Sequence, residues 1–214
     1  MTGGVDDAPL RAILEEGRAL GFLGPGPVES HLAGAVALAA LVGGAEGPVL
    51  DLGAGAGVPG LVLARLWSTV DVTLLDASAR RCAFLRRAAD TLGLSNRVHV
   101  AEGRAESLAR SPALAGHFGT VVARGFGPPA VTAECAVRFL VPGGRLVVTE
   151  PPPGASSDER WPPAELARLG LSPASVVRQG DTSVAVMQRI GELDDRYPRR
   201  TGVPAKRPLW GSSR

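Results

Sequence analysis

A glycine-rich loop is the segment of this 214-residue sequence whose residue types and spacing point most directly to chemistry. It runs from Asp51 to Gly60 in the pattern Asp-x-Gly-x-Gly-x-Gly-x-Pro-Gly and joins an apolar segment to a helical one. Glycines let a backbone turn sharply and approach a ligand without interference from Cβ atoms. The start of a helix adds unpaired N–H groups that suit polar or anionic ligands. We therefore expect Asp51, Gly53, Gly55 and Gly57 to bind a nucleotide-like cofactor.

Two cofactors compete for this loop. The spacing Gly55-x-Gly57-x-x-Gly60 fits the dinucleotide fingerprint, so a nicotinamide oxidoreductase is one interpretation. The longer pattern that begins at Asp51 favours S-adenosylmethionine, which has no pyrophosphate and whose ribose and amino-acid part lie close to such a loop. We expect S-adenosylmethionine, with the Asp51 carboxylate on the sulfonium side. Glycines that serve only packing are the structural alternative.

Polar residues also follow the second and third predicted strands. Asp76 lies 19 residues after Gly57, where a carboxylate can accept hydrogen bonds from both ribose hydroxyls. Its alternative role is to cap the helix that we expect to start next. In the following loop, the backbone N–H groups of Ala105 and Glu106 are expected to bond adenine. Glu106 has the alternative role of stabilising the first turn of a helix.

Arg124 ends the fourth predicted strand, directly after an apolar run. A cation in that position is costly unless it has a partner. We expect its side chain to face the cofactor or the substrate. The alternative is a structural ion pair with Asp51, Glu102 or Glu106.

The elements that must position these residues alternate between strand and helix. Five apolar strand-like runs lie between residues 48 and 149, with helical runs between them, and two more strands are expected between 174 and 190. This order predicts an α/β protein with the Rossmann-like class I methyltransferase fold, a mostly parallel seven-stranded sheet with helices on both faces. We divide the chain into an N-terminal helical cap (1–46), an S-adenosylmethionine-binding domain (47–190) and a basic C-terminal tail (191–214).

The charge of the chain is unevenly distributed. Its net charge is +2, yet residues 196–214 contain six cations and no acid. Such asymmetry indicates an acidic partner, nucleic acid above all. We expect phosphate contacts from Arg199, Arg200, Lys206 and Arg207, with a solvated charged segment as the alternative.

Composition narrows the class of protein. An apolar content of 45% with 21% charged residues is typical of a globular domain. Cys82 and Cys135 lack the spacing of metal ligands, so we expect reduced thiols and no metal. We find neither an apolar run long enough to span a membrane nor a secretory signal, since Asp6 and Asp7 stand near the N-terminus. We expect a cytoplasmic monomer that does not contact membranes.

Several segments together resemble the small-subunit ribosomal RNA methyltransferase G family, also called glucose-inhibited division protein B. They are the loop ending Gly57-Val-Pro-Gly60, the basic helix Arg80–Arg86, the step Gly103-Arg-Ala-Glu106, the strand end Ala123-Arg124 and the C-terminal segment 197–209. The resemblance implies methylation of N7 of a guanine, with rRNA or the small ribosomal subunit as partner. It also places cofactor contacts on Gly53, Val58, Ala105, Glu106 and Arg124.

Two departures from the family pattern fall on the expected substrate side. His31 is kept, but the Asp and Ser that usually follow it are absent, and Glu150 ends the fifth strand where the family has a lysine. Guanine N7 carries a lone pair and needs placement rather than a general base. We therefore treat Arg124, His31 and Glu150 as positioning candidates and Phe126 as a stacking surface. His31 has a structural role as its alternative. The Glu150 carboxylate would favour the positive charge that develops on the base, or it would repel phosphate and weaken RNA docking.

Two further functions stay open at this point. One is a methyltransferase of the same fold with a different substrate. The other is an RNA-binding relative that has lost catalysis.

Overall fold

A single seven-stranded sheet organises the protein, which the computed structural model describes at residues 8–151 and 157–211. Strands β1 to β7 are Val49–Leu52, Val72–Asp76, Val98–Glu102, Phe118–Ala123, Leu140–Glu150, Ser175–Gln179 and Thr182–Gln188. Their order across the sheet is β3-β2-β1-β4-β5-β7-β6. The first five are parallel, and β7 runs antiparallel to both β5 and β6. The predicted α/β class and seven-stranded, mostly parallel sheet are therefore confirmed.

The described residues also form nine α-helices. Helices α1 to α9 are Ala8–Ala19, Val28–Val42, Gly60–Leu66, Ala79–Thr91, Ala105–Leu108, Pro129–Ala136, Ser157–Arg160, Pro163–Arg168 and Val203–Lys206. The sequence did not predict α7 and α9, and it offered α5 only through the alternative role of Glu106; each of the three has four residues. A helix of about one turn is too short to show a hydrophobic period.

Helices cover both faces of the sheet. Val122 of β4 and Val147 of β5 belong to a hydrophobic cluster with α1, α2, α3 and α4. The neighbouring residues Val121 and Leu146 belong to a second cluster, with α5, α6, α8 and Tyr197 from the C-terminal segment. This alternation follows from the period of two along a strand. The segments predicted as an N-terminal cap and a C-terminal tail thus contribute side chains to the same two cores as the sheet.

The C-terminal segment is attached to the body by a buried ion pair. The Glu134 side chain on α6 has no exposed surface, and it accepts three hydrogen bonds from Arg199. They come from the backbone N at 2.8 Å, from Nε at 2.8 Å and from one terminal nitrogen at 2.6 Å. Such a fork-shaped contact is specific to arginine. It compensates the charge of Glu134 and fixes the segment against α6.

Removal of this contact is expected to destabilise the fold. In Arg199→Met the carboxylate of Glu134 stays buried without its charged partner, which costs about 3–5 kcal/mol. Arg200→Met is the matched control, because it removes an equal charge from the exposed neighbouring residue and should change stability by no more than about 0.5 kcal/mol. Urea unfolding of the two variants measures the difference. Equal losses in both would show that the pair does not anchor the segment.

Candidate functional site

Two adjoining cavities open where the parallel strands end. We call the first the Asp76 cavity: it has a volume of about 310 Å³ and is lined by the ends of β2 and β3 and by α5. The second, the Phe22 cavity, has a volume of about 230 Å³ and lies between the glycine loop and residues 22–24. Gly53, Arg81 and Gly125 line both. The two spaces therefore lie next to each other at the carboxyl edge of the sheet, where ligands of such folds bind, and we call them together the groove.

The glycine loop forms the floor of this groove. Gly53 and Gly55 have φ values of 78° and 57°, in the left-handed region that favours glycine. A Cβ atom on Gly53 would lie 2.7 Å from the Phe126 ring, and one on Gly55 would lie 3.0 Å from the Phe22 carbonyl oxygen. Val58 also lines the Phe22 cavity. The groove thus keeps its shape only while Gly53 and Gly55 carry no side chain.

Gly57 serves packing in the structure. Its φ is 88°, and a Cβ atom there would lie 2.4 Å from a methyl carbon of Leu61. The residue lets the first turn of α3 close against the loop. This placement corresponds to the packing alternative for Gly57, whereas Gly53 and Gly55 face the groove.

Asp51 lies beneath the loop. Its side chain is about 1% exposed, and one carboxyl oxygen accepts a hydrogen bond from the Gly60 backbone N at 2.8 Å. Burial raises the pKa of Asp51 to about 7, although the Gly60 hydrogen bond and the positive charge of Arg124 act to lower it. The Asp51 carboxyl group therefore lies at the start of α3, beneath the loop, and its hydrogen bond to Gly60 fixes the end of the loop.

Asp76 lines the Asp76 cavity with both carboxyl oxygens already oriented. One accepts from the Gly55 N at 3.1 Å and the other from the Ser78 N at 2.9 Å. A carboxylate oxygen can accept a second hydrogen bond, so the group can still receive hydroxyls from a ligand. The alternative role as helix cap is wrong: α4 begins at Ala79, and Ser78 is its N-cap residue.

Glu106 connects the cavity wall to the C-terminal segment. Its carboxylate is about 3% exposed and accepts from the Gly202 N at 2.9 Å and from Arg104 at 3.3 Å. Burial by itself would raise the pKa of Glu106, but these hydrogen bonds outweigh it and lower the pKa. Ala105 and Ala205 line the same cavity. The C-terminal segment is therefore one wall of the groove.

Arg124 lies at the end of β4 and contacts His31 rather than an acid. A terminal nitrogen of Arg124 donates to His31 Nδ1, while His31 Nε2 lies 3.1 Å from the Gly24 carbonyl oxygen. Arginine has only donors, so Nδ1 is the acceptor and Nε2 carries the hydrogen. Burial and the nearby Arg124 charge lower the pKa of His31. A neutral histidine therefore orients the arginine.

The ion pairs considered for Arg124 are made by other residues. Glu102 pairs with Arg86 at 3.2 Å, and Glu106 pairs with Arg104. Asp51 influences Arg124 through its charge. Among the residues that the structure describes, the hydrogen-bonding partner of the Arg124 side chain is His31.

Glu150 is paired with a cation, which argues against the expectation that its carboxylate favours positive charge on the base. Its side chain is 7% exposed. One carboxyl oxygen lies 2.7 Å from Arg160 Nε, and the other accepts from Trp161 Nε1 at 3.1 Å. Because Arg160 compensates the negative charge of Glu150, the pair has little electrostatic effect on a positively charged base.

The four cations expected to bind RNA separate into two groups. Arg200, Lys206 and Arg207 are exposed. The Arg199 guanidinium bonds Glu134 and the Arg207 carbonyl oxygen. Arg199 is thus a structural anchor, which argues against the phosphate contact expected of it.

Several residues that line the site were not predicted from the sequence. Phe22 and Leu23 close one side of the groove, Arg81 lines both cavities, and Arg160 stands beside Glu150. Glycines and prolines around position 24 indicated only a loop. Nothing local in the sequence shows which distant segments meet.

Residues 8–151 and 157–211 contain neither a metal-ligand cluster nor a membrane-spanning helix. No cluster of three or more His, Cys, Asp or Glu side chains there is arranged to hold a metal ion. Within the same residues, no helix combines the length and apolarity that a membrane crossing requires.

The burial of Asp51 leads to a testable dependence on pH. Its ordinary pKa is 3.8 and its folded pKa about 7, so folding favours the protonated acid. The stabilisation is complete below the lower value and is lost as pH rises through the higher one. Relative to Asp51→Asn, the wild type should lose on the order of 1 kcal/mol per pH unit between about pH 5 and about pH 7.

Denaturant unfolding of both proteins over this range measures the difference. Both keep His31, whose lowered pKa acts with the opposite sign, so its contribution cancels in the comparison. Parallel stability curves would contradict the raised pKa of Asp51.

Comparisons with known proteins agree with this geometry. Residues 27–151 match the family described as rRNA small subunit methyltransferase G. A protein of Deinococcus deserti named ribosomal RNA small subunit methyltransferase G is 35% identical over 172 residues, which are 78% of this chain and 70% of that protein. Both findings support the resemblance drawn from the sequence motifs.

Solved structures show a related architecture. A predicted O-methyltransferase of Agrobacterium tumefaciens superposes with a TM-score of 0.55 at 26% identity, over 72% of this chain and 79% of that one. The protein PigF, solved with SAH, gives a TM-score of 0.54 at 18% identity, over 67% of this chain and 50% of PigF. The PigF likeness is evidence for the fold alone. From the motifs, the groove and the family match together, this chain belongs to the rRNA small subunit methyltransferase G family.

Proposed function

We propose that this protein transfers the methyl group of S-adenosylmethionine to N7 of a guanine in small-subunit rRNA. The observation that carries the proposal is the groove formed by the Asp76 and Phe22 cavities, with Arg124 lining one end of it. Membership of the methyltransferase G family gives the substrate class. We also propose that it acts as a monomer in the cytoplasm, where it meets the ribosomal subunit.

The residues of the groove fit S-adenosylmethionine. The Asp76 carboxylate suits the ribose hydroxyls, and the backbone N–H groups at Ala105 and Glu106 suit adenine. Gly53, Gly55 and Val58 line the Phe22 cavity, which suits the amino-acid part. When bound, this cofactor supplies an electrophilic methyl group on a sulfonium.

The start of α3 speaks against a dinucleotide. A pyrophosphate binds to the free N–H groups at a helix N-terminus. Here the Gly60 N donates to the buried Asp51 carboxyl at 2.8 Å, and the Leu61 N donates to the Gly57 carbonyl oxygen at 2.7 Å. Both N–H groups therefore already have acceptors within the protein. A phosphate would have to displace the carboxyl group of Asp51 from one of them. The oxidoreductase interpretation is therefore disfavoured.

Catalysis at N7 needs placement of the reactants. The nitrogen has an exposed lone pair, so the protein must hold the base in line with the methyl group and exclude water. Arg124, oriented by neutral His31, lies where the groove meets the ends of β4 and β5. Phe126 packs over Gly53 and offers a ring to the base. Arg200, Lys206 and Arg207 supply exposed positive charge for RNA phosphates.

Cofactor binding can be tested without RNA. In Gly55→Val the new side chain enters the filled space at the Phe22 carbonyl, and strain of about 1–3 kcal/mol should weaken S-adenosylmethionine binding tenfold to a hundredfold. Gly116→Val is the matched control, because Gly116 also has a positive φ but no atom within 4 Å of the place where a Cβ would lie. Calorimetry compares the two variants with the wild type. Equal affinity in Gly55→Val, or tighter binding of NAD by the wild type, would refute the cofactor.

The product tests the assigned reaction. Purified protein is incubated with labelled S-adenosylmethionine and 30S particles from a strain that lacks this enzyme, and the digested RNA is then analysed. We expect the label in N7-methylguanosine, because N7 is the guanine atom that needs no base catalyst. A label on ribose or on a ring carbon would contradict the chemistry. Absence of transfer to particles and to naked RNA would favour a methyltransferase of the same fold with a different substrate.

A further inference from the structure

A third cavity lies beside the groove, between the ends of β4 and β5. We call it the Glu150 cavity: it has a volume of about 380 Å³ and its walls include Arg124, Phe126, Glu150, Arg160 and Trp161. Phe126 also lines the Asp76 cavity, and Arg124 also lines the Phe22 cavity. A molecule in the Glu150 cavity would therefore lie directly next to one bound in the groove.

Arg160 is held in place in this cavity from two sides. Its Nε donates to a Glu150 oxygen at 2.7 Å, and its backbone carbonyl accepts from Trp210 Nε1 at 3.0 Å. The next residue, Trp161, is buried and bonds the other Glu150 oxygen at 3.1 Å. Glu150 thus orients the guanidinium group, and Trp210 fixes the backbone of the same residue.

The exposure of the pair is asymmetric. The Glu150 side chain is 7% exposed, whereas that of Arg160 is 29% exposed. Both side chains line the cavity, and the cation is the more exposed of the two. With Arg124 the cavity has two positive groups and one negative group, so it favours an anion. A guanidinium held in one rotamer loses little further entropy when it binds.

We propose that the Glu150 cavity receives the target nucleotide of the RNA and that Arg160 contacts its backbone phosphate. The planar guanidinium matches phosphate geometry. Phe126 offers its ring to the base, and Glu150 acts as the positioning residue for Arg160. The inference rests on the proposed function, since it takes the neighbouring groove as the site of the methyl donor.

The test removes or keeps the charge at position 160. For naked small-subunit rRNA, Arg160→Gln should reduce the slope of log affinity against log salt by about 0.7, the value for one lost contact to a single strand. Its KM for RNA should rise on the order of tenfold, as expected for one charged hydrogen bond. Arg160→Lys keeps the charge and should keep the slope. Calorimetry should give the same cofactor affinity in all variants.

The lysine variant separates binding from structure. Both substitutions remove the two-nitrogen contact of Arg160 with Glu150, so a purely structural arginine would lower the stability of the variants without changing the salt slope of RNA binding in either. Arg168→Gln is the matched control: Arg168 is exposed, pairs with Glu165 at 2.7 Å and lies on α8. It should leave the slope and KM unchanged.

The salt slopes of the variants decide whether Arg160 contacts a phosphate. An unchanged slope in Arg160→Gln, or an equal fall in Arg168→Gln, would overturn the subsite. If methyl transfer to guanine N7 were observed together with that result, the proposed function would stand and only the subsite would fall. A reduced slope in Arg160→Gln without methyl transfer by the wild type would keep Arg160 as an RNA contact and overturn the proposed function.

Discussion

The hydrogen bond from the Gly60 amide to the Asp51 carboxyl is the contact on which the cofactor groove depends. It joins the end of β1 to the start of α3, and both ends are fixed in the hydrophobic core. No side chain fits at Gly60, because its Cβ would lie 2.3 Å from Leu74 and 2.6 Å from the Asp51 carboxyl. The loop between Asp51 and Gly60 can turn its bare backbone toward the groove only while this hydrogen bond holds its two ends together.

Similar contacts of polar side chains recur along the same edge of the sheet. Polar groups at or near the strand ends are each tied to a segment that is remote in sequence. The pairs are Asp76 with Gly55, Glu106 with Gly202, Arg124 with His31, and Glu150 with Arg160. Because a buried polar group is costly without a partner, each pair also fixes a wall. The helices before the sheet and the segment after it are thereby part of the site.

The sequence predicted what depends on local patterns. Strand and helix periods indicated the sheet, and glycine spacing indicated the loop, because both are set by neighbours within a few residues. The sequence did not predict contacts between distant segments. It assigned Arg199 to RNA because net charge does not reveal that a cation is paired with a buried acid. It did not predict the pairing of Glu150 for the same reason, since Arg160 belongs to a later helix.

The wall at Ala205 has a consequence for how the protein is made. Ribosomes extend a chain from its N-terminus, and folding during synthesis begins there. All seven strands are complete by residue 188, before the segment that bonds Glu106 and Glu134 has been added. A nascent chain with its whole sheet therefore still has the Asp76 cavity open on one side. The Asp76 cavity therefore closes only after residues 199–205 have been synthesised and have docked.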